Sequence, residues 1–404
     1  MMEHQQHKQT LIFVIILGAL TAIGALSIDM FLPGLPQIQS DFNTTTSNSQ
    51  LTLSLFMIGL AMGNLFTGPI SDAIGRKQPL LIAMMLFTLA SIGIIFVDNI
   101  WWMIALRFVQ GFCGGAGAVI SRAISSDLYS GKQLTKFLAL LMLVNGVAPV
   151  LAPALGGVIL SFSTWRMVFI ILTIFGVLMC LGTMFKVKES LTTEHRDSPH
   201  IISIFKNFKQ LLLTPRFVLP MLIQGVTFII LFSYISASPF ISQRIYAMSP
   251  QQFSIMFAVI GISLIISSQL TGKLVDYIHP QTLLRILTCV QLIGIISVTI
   301  ILLNHLSIWM LFIGFIMLVA PVTGVATLGF SIAMDERTGG NGSASSLLGL
   351  VQYLLGGAIS PLVGVMGEEN YIPYVSIILL AGILLVVLQI TNYFIFKKKK
   401  IILN

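Results

Sequence analysis

Charged residues are scarce in this chain of 404 residues. Asp, Glu, Lys and Arg together make up 9% of it and hydrophobic residues 56%, whereas roughly a quarter of an ordinary soluble domain is charged. So few charges in so apolar a chain exclude a disordered protein, a soluble enzyme and a nucleic-acid-binding domain. The net charge of +8 is more typical of cytoplasmic loops that face anionic lipids than of a nucleic-acid partner.

Cysteine and histidine are also rare, and their spacing does not indicate a site. The three cysteines, Cys113, Cys180 and Cys289, lie in apolar runs, which is no pattern for a disulfide framework. The six histidines fall in tails or loops without paired metal-ligand spacing. The sequence contains no Gly-x-x-x-x-Gly-Lys-Ser/Thr loop. We therefore expect no metal, no cofactor and no ATPase within this chain.

Long apolar runs are what the sequence has in abundance. Twelve runs are bounded by charge, Gly, Pro or Asn, and each is long enough to cross a bilayer as a helix. The first reaches Pro36 and is too long for a signal-peptide core, so we interpret it as a retained helix. The others cover residues 47–70, 79–97, 100–124, 134–160, 164–186, 216–241, 252–272, 281–303, 307–331, 343–366 and 372–396. The sequence thus predicts an all-α membrane protein with twelve transmembrane helices.

The positive residues predict the orientation of these helices. With both termini inside, nineteen of the 22 Lys and Arg residues fall in cytoplasmic loops or ends, which leaves Arg166 and Arg244 outside and Arg107 within a span. So uneven a distribution follows the positive-inside rule, and an odd number of spans would destroy it. We therefore predict a multi-pass protein of a bacterial-type cytoplasmic membrane with both termini in the cytoplasm.

The chain divides into two similar halves. The second span ends with Gly68-x-x-x-Asp72, and the matching place in the second half carries Gly272-x-x-x-Asp276. Proline also interrupts the first span of each half. Such a repeat is typical of transporters that bind substrate at the midplane between two bundles. The predicted parts are a six-helix bundle over residues 1–187, a linker over 188–215 and a second six-helix bundle over 216–404.

The linker contains a short amphipathic segment. Apolar residues recur at helical spacing from Ile201 to Leu212, with Lys206 and Lys209 off that stripe. This pattern predicts a helix that lies on the inner membrane face and tethers the two bundles. A role in binding a partner protein is the alternative.

Several stretches resemble one family. The loop Gly68-x-x-x-Asp72-x-x-Gly75-Arg76-Lys77 is similar to the loop signature of the major facilitator superfamily, and Arg107-Phe-Val-Gln110-Gly111 resembles its second motif. Residues 148–157, Ala-Pro-Val-Leu-Ala-Pro-Ala-Leu-Gly-Gly, resemble the motif associated with antiporters. The stretches that begin at Asp29, Arg122 and Trp165 narrow the likeness to bicyclomycin-resistance-type drug:proton antiporters. The resemblance covers the whole chain and implies the major facilitator fold, with two pseudo-symmetric six-helix bundles in a monomer.

Asp29 is the residue on which the predicted mechanism depends most. A charged side chain near mid-bilayer costs at least about 2.5–3.5 kcal/mol, so an acid kept there is a candidate functional group. A carboxylate whose surroundings change can take a proton from one side and release it to the other. The alternative is that Asp29 lies close enough to the outer surface to be hydrated. Some members of the resembled family carry a second acid two turns earlier, where this chain has Thr21, so we expect one proton per cycle.

Arg107 is the only other ionisable residue that the sequence places well inside a span. Counted along their helices, Arg107 and Asp29 are expected at a similar depth. The resemblance implies that this arginine supports substrate binding and proton coupling. The alternative is a structural contact with carbonyls or amides of a neighbouring helix.

The loop between the second and third spans is predicted to act as a conformational latch. Gly68 is expected to permit close helix contact and Gly75 a tight turn. A charged cluster at the inner face, to which the resemblance adds Asp127, would favour the outward-open state when closed. The alternative is a positive-inside anchor with incidental acids. The predicted latch consists of Gly68, Asp72, Gly75, Arg76, Arg122 and Asp127.

Two further groups complete the candidate site. Pro149, Pro153, Gly156 and Gly157 are expected to bend and thin the fifth helix, and the resemblance implies that they hold the bundles together; small-residue packing is the alternative. A cavity with apolar walls and few polar groups suits hydrophobic ligands. Its candidate lining is Met30, Phe31, Gln110, Asn145, Gln224, Phe228, Phe232, Tyr234, Gln352 and Tyr353. The alternative for the aromatic residues among them is that they face lipid or pack against other helices, as aromatic side chains in membrane helices more often do.

These observations predict a secondary active transporter, not an enzyme. The leading hypothesis is export of small hydrophobic or cationic drugs in exchange for protons by alternating access, with membrane lipids as the surroundings and no nucleic-acid partner. A proton-coupled transporter of a polar metabolite such as an amino acid is the alternative. A non-transporting receptor or enzyme is disfavoured by the two-half repeat.

Overall fold

The computed structural model describes residues 2–129, 151–191, 208–336 and 341–402, together with 137, 141 and 144. Among these residues eleven helices are long and apolar enough to cross a membrane, and no strand occurs among them. Those helices, the first to fourth and the sixth to twelfth in chain order, are Phe13–Asp41, Thr46–Ile74, Lys77–Phe96, Ile100–Leu128, Trp165–Lys186, Pro215–Ile245, Pro250–Leu274, Pro280–Leu303, Ile308–Asp335, Ser346–Gly364 and Ile372–Phe396. The predicted fifth span is described only toward its end, where Leu151–Phe162 is helical. The predicted all-α membrane fold is confirmed.

The first helix is interrupted where the sequence places two prolines. Its α-helical part ends at Asp29, and a tight turn over Leu32–Gly34 leads into a second short helix, Leu35–Asp41. Pro33 has no N–H group to donate to the carbonyl of Asp29, so the hydrogen-bond ladder stops at that residue.

Proline marks interruptions in later helices too. The seventh helix passes from its α-helical part, Pro215–Phe240, into a wider π turn, Ile241–Ile245, directly after Pro239. The tenth helix is divided into Ile308–Val319 and Pro321–Asp335. Each break leaves backbone groups outside the regular ladder, and in a membrane protein such groups need shelter within the fold.

The chain forms two compact units, Met1–Thr44 with Leu55–Ile201 and Thr45–Ser54 with Ile202–Asn404. Within the first unit the third helix packs against the fourth and sixth helices, and the first packs against the fourth. Apolar side chains from these helices, among them Leu20, Phe87 and Ile120, form its core. Within the second unit the seventh helix packs against the tenth, eleventh and twelfth, and the ninth packs against the tenth.

Glycines bring the second and fourth helices of the first unit into direct backbone contact. A Cβ atom placed on Gly59 or Gly63 of the second helix would overlap a carbonyl oxygen of the fourth. The reverse holds for Gly111 and Gly115, whose Cβ atoms would overlap carbonyl oxygens of the second helix. Each helix therefore contributes a Gly-x-x-x-Gly pair, the spacing that lets membrane helices approach closely. This contact holds Arg107, one turn before Gly111, against the second helix.

Exposed tryptophans mark the ends of two helices. Trp101 and Trp102 stand at the start of the fourth helix, where the side chain of Asn99 accepts a hydrogen bond from the N–H of Trp101 at 2.8 Å. Trp309 stands at the start of the tenth helix and is also exposed. All three lie at helix ends that the charge distribution assigns to the outer face, which is where indole rings favour the membrane interface.

The predicted linker is described only at its two ends. Residues 192–207, with most of the predicted amphipathic helix, lie outside the described residues. The described continuation from 208 to 212 is helical, and Phe208 within it is buried.

Candidate functional site

Asp29 lies at the break in the first helix. Its side chain is buried, with 6% of the residue exposed. Within the described part of the chain, the carboxylate forms no ion pair and accepts no hydrogen bond. Burial of an acid without a hydrogen-bond or ion-pair partner destabilises the fold. An acid that is retained in such a place is therefore a candidate functional group.

Arg107 lies at the same level of the first unit as Asp29 but packs on another face of the first helix. Its Nη1 donates to the carbonyl oxygen of Ser27 at 3.0 Å, and its guanidinium lies 4.5 Å from the ring centre of Phe31. Arg107 thus contacts the residues two positions before and two positions after Asp29, and residues two positions apart in a helix project about 200° apart. No ion pair joins Arg107 to Asp29 among the described residues.

Two residues predicted to bind substrate hold Arg107 in place. Gln110 is fully buried, accepts a hydrogen bond from Arg107 at 2.7 Å and donates to Ser91 at 2.8 Å. Phe31 is equally buried. With the ring of Phe56, 4.2 Å from the guanidinium, it encloses the cation between aromatic faces, which is a favourable arrangement in a desolvated site. In this structure both residues support Arg107 inside the unit.

The fifth helix touches the first helix directly beside Asp29. A Cβ atom on Gly156 would overlap the backbone carbonyl oxygen of Met30, so only glycine permits this approach. Met30 is buried at this contact. Pro153 and Gly157 are buried as well, whereas Pro149 lies outside the described residues. Gly156 of the predicted bending motif thus contacts the segment that carries Asp29.

A second contact fixes the short helix that follows the break. Trp165, the first residue of the sixth helix, donates from its indole Nε1 to Asp41 at 2.8 Å and from its backbone N–H to the Gln37 side chain at 3.1 Å. Arg166 lies 3.7 Å from the same Asp41 carboxylate and 4.4 Å from the Trp165 ring centre. The Trp-Arg pair therefore holds Leu35–Asp41 against the sixth helix, and Asp29 lies just before this anchored segment.

The predicted latch forms around Arg76. This guanidinium donates to Asp127 at 2.9 Å, to the Ser71 hydroxyl at 2.8 Å and to Asp72. Burial by itself lowers the pKa of Arg76, but the hydrogen bonds and charges of Asp127 and Asp72 raise it above its ordinary value. The arginine therefore remains charged and joins the second helix to the fourth.

Glu189 completes this cluster and was not anticipated from the sequence. Its carboxylate accepts hydrogen bonds from the backbone N–H groups of Arg76 at 2.8 Å and Lys77 at 3.1 Å. The neighbouring Ser190 donates to Asp127 at 2.7 Å. The chain leaving the sixth helix is thereby attached to the start of the third helix. No repeated pattern in the sequence marks Glu189, because its partners are backbone groups far away in the chain.

The two latch glycines differ in their structural roles. Gly75 has a positive φ of 101° and follows the end of the second helix, a position that favours glycine. The expectation for Gly68 was wrong, because a Cβ atom there would meet Val119 at an ordinary 3.5 Å. The close helix contact lies at the Gly-x-x-x-Gly pairs instead. Arg122 is exposed, and its Nε donates to the Ala118 carbonyl of its own helix.

In the second unit, most of the predicted cavity residues form one group. Gln224, Phe228 and Phe232 follow one another at helical spacing on the seventh helix. Gln224 donates to Gln352 of the eleventh helix at 3.0 Å, and the ring centres of Phe232 and Tyr353 lie 6.2 Å apart. The group combines a hydrogen-bonded amide pair with three aromatic rings, which suits an apolar ligand with few polar groups.

Two of the remaining cavity candidates lie outside this group. Tyr234 packs against Phe257 of the eighth helix and Phe315 of the tenth, with ring centres 5.6 Å and 4.9 Å away. It therefore belongs to the interior packing of the second unit. Asn145 lies outside the described residues.

Comparison with known proteins places the chain in a family. Residues 17–361 match the model of the Major Facilitator Superfamily. The chain is 37% identical to the "Uncharacterized MFS-type transporter YdgK" of Bacillus subtilis over 95% of its length and 96% of that protein. It is 30% identical to the "Bicyclomycin resistance protein homolog" of Haemophilus influenzae over 91% and 92% of the two chains.

A solved structure shows the same fold. The inward-facing, occupied form of a bacterial homologue of the human lysosomal transporter Spinster aligns with a TM-score of 0.72 at 16% identity, covering 95% of this chain and 96% of that one. This likeness confirms the major facilitator fold that the motifs implied. The family match confirms that the protein is a transporter and not an enzyme, as the sequence predicted. The chain belongs to the major facilitator superfamily of membrane transporters.

Proposed function

We propose that this protein exports small hydrophobic or cationic compounds, antibiotics among them, in exchange for protons. The observation that carries the proposal is Asp29, a buried acid at a helix break that has no ion pair within the described residues. An ionisable residue inside a membrane helix is a functional candidate by default. The name of the Haemophilus relative, a bicyclomycin resistance homologue, supports a drug as the exported compound.

In this proposal Asp29 carries the proton and Arg107 does not. Arg107 is fixed by the Ser27 carbonyl, Gln110 and the flanking aromatic rings, so it supplies a permanent positive charge beside the break. Asp29 binds a proton from the outside and releases it to the cytoplasm as the transporter alternates between its two open states. Gly156 and the Trp165–Asp41 contact hold the backbone on either side of the break, which keeps the acid in a defined position throughout the cycle.

The remaining groups have separate roles in the proposal. The amide pair and aromatic rings on the seventh and eleventh helices form part of the binding surface for an apolar compound. The cluster of Arg76, Asp72, Asp127 and Glu189 is the latch whose closing favours the outward-open state. The protein acts as a monomer in a bacterial-type cytoplasmic membrane with both termini inside, and needs no cofactor.

One proton is exchanged per transported molecule. Asp29 is the single deep acid of the first helix, since Thr21 occupies the place of a second one and donates to the Gly18 carbonyl of its own helix at 2.7 Å. The membrane potential supplies about 2.3 kcal/mol per charge per 100 mV, so one proton supports a useful gradient of an uncharged compound. A measured stoichiometry of two protons would contradict this assignment.

The proposal is tested by transport into proteoliposomes that contain the purified full-length protein. An imposed pH gradient is combined with a panel of labelled lipophilic cations, neutral antibiotics and amino acids. We expect accumulation of one or more of the apolar compounds, abolished by a protonophore. Accumulation of amino acids alone would replace drug export by transport of a polar metabolite, and accumulation that ignores the protonophore would exclude proton exchange.

A further inference from the structure

The ninth and twelfth helices of the second unit enclose a cleft that the transport proposal does not use. Its volume is about 400 Å³, which lies within the range of small-molecule sites. Leu292, Val386, Ile390 and Phe394 form apolar walls, and the exposed thiol of Cys289 lies between them. The cleft is therefore a long apolar slot on the surface of two membrane helices.

Hydrogen bonds between the two helices give the cleft a fixed shape. Gln389 donates to the Thr288 hydroxyl at 2.8 Å, and one turn farther along, Asn392 donates to Gln281 at 2.9 Å. Side-chain hydrogen bonds of this kind stabilise membrane helix pairs. The cleft does not depend on a ligand to form.

One end of the cleft is positively charged. Arg285 stands there with its guanidinium 5.2 Å from the ring centre of Tyr393. Its Nε and Nη2 donate to Gln281 and Thr282, while Nη1 makes no hydrogen bond and no carboxylate pairs with the side chain in the described ranges. In the sequence, Lys397–Lys400 follows Phe394 by less than one helical turn.

We propose that this cleft binds an anionic phospholipid of the inner leaflet, with an acyl chain in the slot and the phosphate at Arg285. Arg285 lies five residues into its helix, about 7.5 Å from the helix start at 1.5 Å per residue. That depth, below a helix end predicted to be cytoplasmic, matches the headgroup region, where Tyr393 also favours the interface. The uncompensated cation selects an anionic headgroup over a zwitterionic one. This inference stands whether or not the protein exports drugs.

Photocrosslinking tests the proposal directly. The full-length protein is placed in phosphatidylcholine nanodiscs that contain a small fraction of phosphatidylglycerol with a photoreactive acyl chain, and the crosslinked peptides are mapped by mass spectrometry. We expect adducts on the segments around Leu292 and Ile390, and a yield about fivefold lower with the matching phosphatidylcholine probe. Excess unlabelled phosphatidylglycerol is expected to remove these adducts.

Four variants separate the charge from the slot. Arg285→Gln is expected to lower the phosphatidylglycerol yield to that of phosphatidylcholine, whereas Arg285→Lys retains the preference. Lys273→Gln is the matched control, because this exposed lysine lies at the same predicted membrane face outside the cleft. Cys289→Trp fills the slot and is expected to remove the adducts of both probes without changing the charge. Equal yields for the two lipids, an unchanged Arg285→Gln variant, or displacement by a transported drug but not by phosphatidylglycerol would overturn the proposal.

Discussion

The carboxylate of Glu189 accepts a hydrogen bond from the backbone N–H of Arg76 at 2.8 Å. Arg76 is the residue that precedes the third helix, and its side chain cannot cap that helix because a guanidinium has no hydrogen-bond acceptor; it donates to Asp72 and Asp127 instead. Glu189, which lies far from Arg76 in the sequence, supplies the cap and places a negative charge at the positive end of the helix dipole. Glu189 therefore accepts hydrogen bonds from the N–H groups at the helix start and attaches the beginning of the linker to the latch.

Removing this cap is expected to weaken the inner end of the first unit. Glu189→Ala leaves the backbone N–H groups of Arg76, Lys77 and Leu191 without their acceptor, and loss of a helix cap typically costs about 0.5–2 kcal/mol. The expected result is a lower unfolding temperature together with a lower transport rate. Glu189→Gln retains one amide oxygen and is expected to lie between the wild type and the alanine variant. Thermal unfolding of the purified protein and transport in the same proteoliposomes measure both effects.

If Glu189 only contributed charge, the glutamine and alanine variants would behave alike. A graded series therefore distinguishes a hydrogen-bonded cap from a general electrostatic effect. Equal unfolding temperatures for all three proteins would contradict the role assigned to Glu189.

Gly156→Ala is expected to displace the segment that carries Asp29. The added Cβ overlaps the Met30 carbonyl oxygen, and overpacking of this kind costs about 1–3 kcal/mol. Because Met30 follows Asp29 directly, transport is expected to fall more than the loss of stability alone explains. Gly272→Ala is the matched control, since a Cβ there meets no atom within 4 Å. If Gly156→Ala transports as fast as the wild type, measured per folded protein, this contact does not position Asp29.

Substitution of Gln110 measures how much its hydrogen bond to Arg107 contributes to stability. Gln110→Leu removes hydrogen bonds to Arg107 and Ser91, whereas Ser91→Ala removes the second and the bond from the Ser91 hydroxyl to the Phe87 carbonyl. Because a bond to a charged group is worth more than a neutral one, Gln110→Leu is expected to cost about 1–2 kcal/mol more than Ser91→Ala. Chemical denaturation of the two variants measures the difference. Equal costs would mean that the Gln110–Arg107 bond contributes little.

The fold was largely predictable because its main signals are local. Apolar runs set the helices, and Pro33, Pro239 and Pro321 mark breaks through the missing N–H group of each residue. Gly75 was also predictable, since the end of a helix before a tight turn favours a residue that tolerates positive φ.

The candidate site was predictable only where residue type alone constrains it. A lone acid such as Asp29 in an apolar span is conspicuous, and the structure indeed buries it. Which glycine meets a neighbouring backbone depends on the neighbour, so Gly68 was misjudged, and the close helix contacts at Gly59 and Gly111 were not predicted. Glu189 could not be found because its partners are backbone amides of a distant loop. Some of the predicted cavity residues pack around Arg107 and others form the group on the seventh and eleventh helices. The sequence does not separate the two, because an aromatic residue that packs on an arginine and one that faces a substrate occur in the same kind of apolar helix.

The central claim is that Asp29 couples substrate movement to protons. Asp29→Asn keeps the size of the side chain and removes its ability to exchange a proton at the membrane interior. Asp98→Asn is the control, since Asp98 is an exposed acid in the loop between the third and fourth helices. Both variants are reconstituted into proteoliposomes with a compound that the wild type transports.

The decisive measurement compares uphill transport driven by a pH gradient with substrate exchange at equal pH on both sides. Asp29→Asn is expected to lose gradient-driven accumulation while it retains exchange, and Asp98→Asn is expected to match the wild type in both. Gradient-driven accumulation by Asp29→Asn at the wild-type level would contradict the account.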